Sequence, residues 1–194
     1  MNPKLQFIGT GSPEIVGLRN AGGFLIKTDK TTIAVDPGPG ASQALGNKTV
    51  DKIVVTKKER GHDADLIKTT ENTPDVEIIQ KKSGTIFKLP DGVLAYITDK
   101  IETKEIKEYK ADTIVFAEHK QTEKIITKLK PRLAILTCYD EEMHKKNPVY
   151  IARELKQKTG AQTISAEDGL IVELYAYSAI SEQKALSKFT ENKQ

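Results

Sequence analysis

Lys52-Ile53-Val54-Val55-Thr56 and, further along the chain, Thr113-Ile114-Val115-Phe116-Ala117 each carry three consecutive apolar residues. A strand turns successive side chains to opposite faces, so both runs are apolar on two sides and need cover on both. A sheet sandwiched between other layers supplies that cover, which points to a layered α/β domain.

Working outward from these runs, the amino-terminal half reads as short strands. Leu5–Gly9, Gly23–Thr28 and Thr31–Asp36 come first, with Asp29-Lys30 as a hairpin turn between the last two. Lys52–Thr56, Val76–Gln80, Thr85–Leu89 and Val93–Thr98 follow, the final pair joined across the turn residues Pro90-Asp91-Gly92. The second half alternates strand Thr113–Ala117, helix Thr122–Leu129, strand Leu133–Thr137 and helix Pro148–Thr159, which Gly160 stops. Strands Gln162–Ser165 and Leu170–Tyr175 flank the turn 166–169, and a polar helical tail is expected from about Ala179. No repeat of fixed period and no Gly/Ser linker divides the chain, so one domain over residues 1–194 is expected.

Composition narrows the class. With 38% hydrophobic and 29% charged residues, the chain has enough apolar material for a core. The net charge of +3, from 30 basic and 27 acidic residues, gives no strong field for nucleic acid or anionic lipid. The single cysteine excludes an internal disulfide. The start MNPKLQFIGTGS has no secretory apolar stretch, and no run approaches the roughly 18 apolar residues of a membrane span. A cytoplasmic location is the expectation.

Taken in order, Phe7-Ile8-Gly9-Thr10-Gly11, Asn20, Gly23-Phe24-Leu25, Ile33-Ala34-Val35-Asp36-Pro37-Gly38, Val54-Val55-Thr56, Tyr96-Ile97-Thr98-Asp99 and Leu133-Ala134-Ile135-Leu136-Thr137 resemble the successive signatures of metallo-β-lactamase-fold hydrolases, in particular the ribonuclease Z-like branch. Asn147-Pro148, Thr159-Gly160 and Ala166-Glu167-Asp168-Gly169 are similar to small archaeal metal-dependent hydrolases. The resemblance implies a four-layer αββα sandwich, with two mixed sheets inside, helices outside, and ligands held on loops at one end.

Active members of that family carry His-x-His-x-Asp-His after the strand ending here in Thr56. This chain reads Lys57-Lys58-Glu59-Arg60-Gly61-His62. Lys57, Glu59 and Gly61 therefore stand at ligand positions, and only His62 keeps its type. The resemblance places the bridging carboxylate at Asp99 and puts Cys138 where the final histidine belongs. Two-metal hydrolysis needs two cations about 3.5–4 Å apart, and a protonated lysine cannot hold one. A dinuclear zinc centre is not expected, while His62, Asp99 and Cys138 form a candidate site for one zinc, being nitrogen, oxygen and thiolate donors. Asp99 is then the candidate catalytic group, orienting bound water. The Lys57 ammonium offers a metal-free alternative, neutralising Asp99 and Glu59. The bland readings are a buried, apolar cysteine and solvent-facing lysines.

Other motifs carry less. Gly9-Thr10-Gly11-Ser12 follows a strand but lacks the Lys and Ser/Thr ending of a phosphate-binding loop. Asp36-Pro37-Gly38-Pro39-Gly40 reads as a rigid turn whose aspartate hydrogen-bonds loop backbone. His119 and His144 are loop histidines that could flank the cleft. The function expected is a hydrolase-fold protein with an eroded dinuclear zinc site, lacking efficient hydrolysis but keeping a cleft for a ligand or protein partner. The alternatives are a mononuclear zinc phosphodiesterase-like hydrolase and a structural or assembly protein, which a homo-oligomer would favour.

Overall fold

A computed structural model describes residues 2–46, 48–56 and 62–174. Eleven strands in these segments form two sheets. In the first, β1 (Lys4–Gly9), β2 (Gly23–Lys27), β3 (Thr32–Val35), β4 (Lys52–Val54) and β11 (Ile171–Glu173) lie in the order β11-β1-β2-β3-β4. The pairs are antiparallel except β3 with β4, which is parallel. In the second, β5 (Glu77–Lys81), β6 (Gly84–Leu89), β7 (Gly92–Ile97), β8 (Thr113–Phe116), β9 (Leu133–Leu136) and β10 (Gln162–Ser165) lie in the order β10-β9-β8-β7-β6-β5. It runs parallel from β7 to β10 and antiparallel from β5 to β7.

The sheets face each other across an apolar layer. Leu5, Phe7, Phe24, Ile26, Ile33 and Val35 of the first meet Phe87, Leu94, Tyr96, Val115, Leu133 and Ile135 of the second. Phe24 and Tyr96 join the layers edge to face at 5.1 Å between ring centroids, a geometry that the ring quadrupoles favour. The alternate residues of β7 to β9 turn outward: Ala95, Ile97, Ile114, Phe116, Ala134 and Leu136 pack under helices α2 (Thr122–Leu129), α3 (Glu141–Lys145) and α4 (Pro148–Thr159). All four residues of β8 and of β9 are buried, as the two-sided apolar runs require.

The local signals account for the helix ends. The Asn147 side chain accepts from the Val149 N–H at 3.1 Å, Pro148 opens α4, and Gly160 closes it at φ 73°. Asp140 caps α3 through the Met143 N–H at 2.8 Å. Two short helices, α1 (Ala41–Leu45) and α3, escaped the sequence reading because five-residue helices carry too little periodicity. After His62 the chain makes a single 3-10 turn, Ala64–Leu66. The expected tail beyond 179 lies outside the described residues. Among the described residues no helix is long and apolar enough to cross a membrane.

Candidate functional site

The loops at one end of the sandwich enclose a cavity of about 50 Å³. Gly11 and Ser12 after β1, Gly22 before β2, Asp36 and Gly38 after β3, His62, Tyr96 of β7 and Cys138 after β9 line it. Both sheets thus contribute from the same end. Two lining residues that are not glycine, Asp36 at φ 42° and Cys138 at φ 56°, adopt left-handed backbone, a conformation that clusters where a fold over-determines a functional loop. Space is tight around the thiol: a Cβ on Gly22 would stand 2.9 Å from Cys138 Sγ. Tyr96 Oη lies 3.9 Å from the same sulfur.

Asp36 is 4% exposed and behaves as the turn reading expects. Its carboxylate accepts from the Thr56 N–H at 2.6 Å and from the Thr56 hydroxyl, fixing the chain where it leaves β4. Residues 57–61, including Lys57, Glu59 and Gly61, lie outside the described residues. The chain is tied down again at Asp63, whose Oδ2 accepts from the N–H groups of Gly40 and Ser42 and from the Ser42 hydroxyl at 2.8–3.0 Å. Its own N–H donates to Pro37 O at 2.8 Å. Burial pushes the Asp63 carboxyl up, but the Ser42 and Gly40 donors outweigh it and hold the group below its ordinary value. Asp63 thereby seats its neighbour His62 on the cavity wall. No motif marked Asp63, because its partners are backbone groups of a distant loop.

Two of the three candidate zinc ligands, His62 and Cys138, line the cavity. Asp99 is exposed, is absent from its wall, and accepts from the Lys100 N–H at 2.7 Å. Among the described residues no three His, Cys, Asp or Glu side chains stand together in a way that could hold a metal. The described donors therefore do not fit a zinc ion. His119, read as a loop histidine that could flank the cleft, is not among the cavity's lining residues; its Nε2–H donates to Thr137 O at 2.8 Å, since a carbonyl oxygen only accepts. Burial lowers its pKa from 6.5, opposed by the Thr137 carbonyl.

A second network surrounds His144. Arg19 donates from Nε to His144 Nδ1 at 3.3 Å and from a terminal nitrogen to Thr10 Oγ1 at 2.9 Å. Thr10 in turn donates to Asp168 Oδ1 at 2.7 Å, and the Asn20 N–H donates to Asp168 Oδ2 at 2.7 Å. The guanidinium lies 4.8 Å from the centre of the Tyr139 ring, which also stacks on His119 at 6.2 Å. Tyr139 is fully buried and donates its hydroxyl to Leu136 O and Ala166 O. Burial raises its pKa, with Arg19 opposing. Sequence reasoning missed Arg19 and Tyr139, since single residues in loops have no spacing to betray them.

With this architecture in place, comparison with solved structures gives the class. The chain superimposes on the metallo-β-lactamase fold protein YhfI from Bacillus subtilis with a TM-score of 0.63 at 13% identity, covering 89% of this chain and 99% of that one. It matches a diphosphatase from the PhnP family with a TM-score of 0.55 at 15% identity, over 88% and 97% of the two chains. It matches human tRNase Z, short form, with a TM-score of 0.50 at 10% identity, over 88% and 99%. The fold is the metallo-β-lactamase sandwich, with ribonuclease Z-like proteins among its structural neighbours. No family model and no curated protein sequence matches the chain.

Proposed function

We propose that this chain keeps the ligand cleft of the metallo-β-lactamase fold without efficient two-metal hydrolysis. The supporting observation is the make-up of the cavity. Its wall holds one histidine and one cysteine beside Asp36, and Asp36 is already engaged by Thr56. The residues at the family's ligand positions point the same way, since Lys57, Glu59, Gly61 and Cys138 stand where histidines and an aspartate belong in the active relatives that the sequence resembles. One residue of this set, Lys57, brings a positive charge to a sequence position where the active relatives carry a metal ligand.

A single-zinc hydrolase is the second reading, favoured by His62 and Cys138 sharing one wall. It requires Asp99, or another donor, to swing into the cavity when zinc binds. Elemental analysis of protein purified without a histidine tag separates the two, paired with turnover of bis(p-nitrophenyl) phosphate. The expected result is fewer than two zinc ions per chain and a kcat well below about 1 per second. Two zinc ions with ordinary turnover would overturn the proposal. One zinc that is lost in Cys138→Ser would establish the second reading, thiolate being the softest donor of the set.

A further inference from the structure

Beside the cavity lies a groove of about 400 Å³, lined by Val16, Leu18, Arg19, Asn20, Gln43 and Asp168 among others. Val16, Ala21 and Pro39 border both spaces, so the groove and the cavity are neighbours.

Arg19 is the unusual member. It is partly buried, yet none of the ion pairs among the described residues includes it. Its contacts are all with neutral groups: the Thr10 hydroxyl, the His144 ring nitrogen and the Tyr139 face. These contacts hold the guanidinium plane in place, and Arg19 lines the groove. A fixed, partly desolvated guanidinium is a preorganised receptor for an oxyanion. Asp168, the nearby carboxylate, has both oxygens occupied by Thr10 and Asn20. Joined to Arg19 through Thr10, it leaves the two side chains with no net charge between them, so a ligand with one negative charge is repelled less than one with two. Val16 and Leu18, at 58% and 67% exposed, add an apolar strip along the same groove.

We propose that Arg19 anchors the oxyanion of a small, monoanionic, partly apolar ligand, whose apolar body lies on Val16 and Leu18 and points toward the Cys138 cavity. The proposal rests on the reading of the cavity as a ligand cleft and names the ligand class for it. A carboxylate and a phosphodiester share the required chemistry, a delocalised single charge on two oxygens.

The test is a titration followed by amide NMR shifts, using benzoate and diphenyl phosphate as probes and benzamide as the uncharged control. Binding of at least one anion is expected to shift Leu18 and Asn20, to weaken with added salt, and to weaken about tenfold or more in Arg19→Gln, the scale of a lost charge-assisted contact. Arg19→Lys keeps the charge without the planar fork, and a smaller weakening is expected there. It serves as the second variant if Arg19→Gln fails to fold. Equal binding of benzamide, or unchanged affinity in a folded Arg19 variant, would overturn the proposal. Shifts at Gly22 and Tyr96 that persist in Arg19→Gln would overturn it while leaving the cleft reading standing. Shifts confined to Leu18 and Asn20 would uphold the Arg19 anchor and count against the cleft reading.

Discussion

The two sheets are covered unequally. The central strands β7 to β9 of the six-stranded sheet are largely buried on both faces, against the partner sheet inside and against α2, α3 and α4 outside, in a cluster that also takes in Ile101, Ile106 and Tyr109. The five-stranded sheet shares the inner layer, and among the described residues its outer face carries a small cluster of Leu25, Ala34, Leu45, Val50 and Ile67, with Ile8 and Ile53 packed against it. Each sheet nonetheless sends loops to the same cavity. The difference teaches where the fold's rigidity resides: the Cys138 and Tyr96 walls stand on a doubly buried platform, and the Asp36 and His62 walls on a thinner one held by hydrogen bonds to single carboxylates.

That contrast can be broken by paired truncations. Phe116→Ala empties a fully buried site under the helices and should cost about 3–5 kcal/mol. Leu45→Ala, at 8% exposure in the small outer cluster, should cost about 2 kcal/mol, at the low end of such substitutions because the rim can relax. Urea unfolding of the two variants measures the gap. Equal costs would mean that the outer cover of the five-stranded sheet is as tightly packed as the helical layer.

Asp36 sharpens the same contrast on the loop side. Asp36→Ala leaves the Thr56 N–H and hydroxyl without their acceptor and places alanine at φ 42°, so a loss of about 2–3 kcal/mol is expected. Asp36→Asn keeps one acceptor oxygen and a residue tolerant of that backbone, and should cost about 1 kcal/mol. Thermal unfolding of both variants reports the difference. If the two cost the same, the carboxylate is not what holds the Thr56 end of β4.

Much of the fold was legible because it rests on periodicity. The apolar runs at 53–55 and 114–116 supply strands β4, which ends at Val54, and β8, one in each sheet, and Pro90-Asp91 joins β6 to β7, which opens at Gly92. The site was legible only in part. Cys138 and His62 share the cavity because each follows a recognisable segment, while Asp99, placed by resemblance alone, is exposed beside Lys100. Asp63, Arg19 and Tyr139 were invisible, because what defines them is a partner more than 20 residues away: Asp63 with Ser42, Arg19 with His144, Tyr139 with Ala166. Such pairings exist only once two sheets have brought their loops to one end.

The smallest expected effect tests the doubly buried platform through pH. His119 follows β8 and stacks on Tyr139, which follows β9, so it reports on the six-stranded sheet's loop end. Burial lowers its folded pKa below 6.5, against the opposing pull of the Thr137 carbonyl and the charges of Asp140 and Glu118. The unfolded chain then binds the proton more readily than the folded one. The stabilisation is fully present above pH 6.5 and is lost as pH falls from 6.5 through the folded value. His119→Gln removes the titrating group while keeping an N–H that can reach the Thr137 carbonyl. At pH 7 the wild type should be the more stable, and the gap should close as pH falls to 5, read as urea midpoints at several pH values. A gap that stays constant or widens would mean that His119 accepts its proton as easily folded as unfolded, and that the loop end behind Cys138 is open to water rather than sealed by Tyr139.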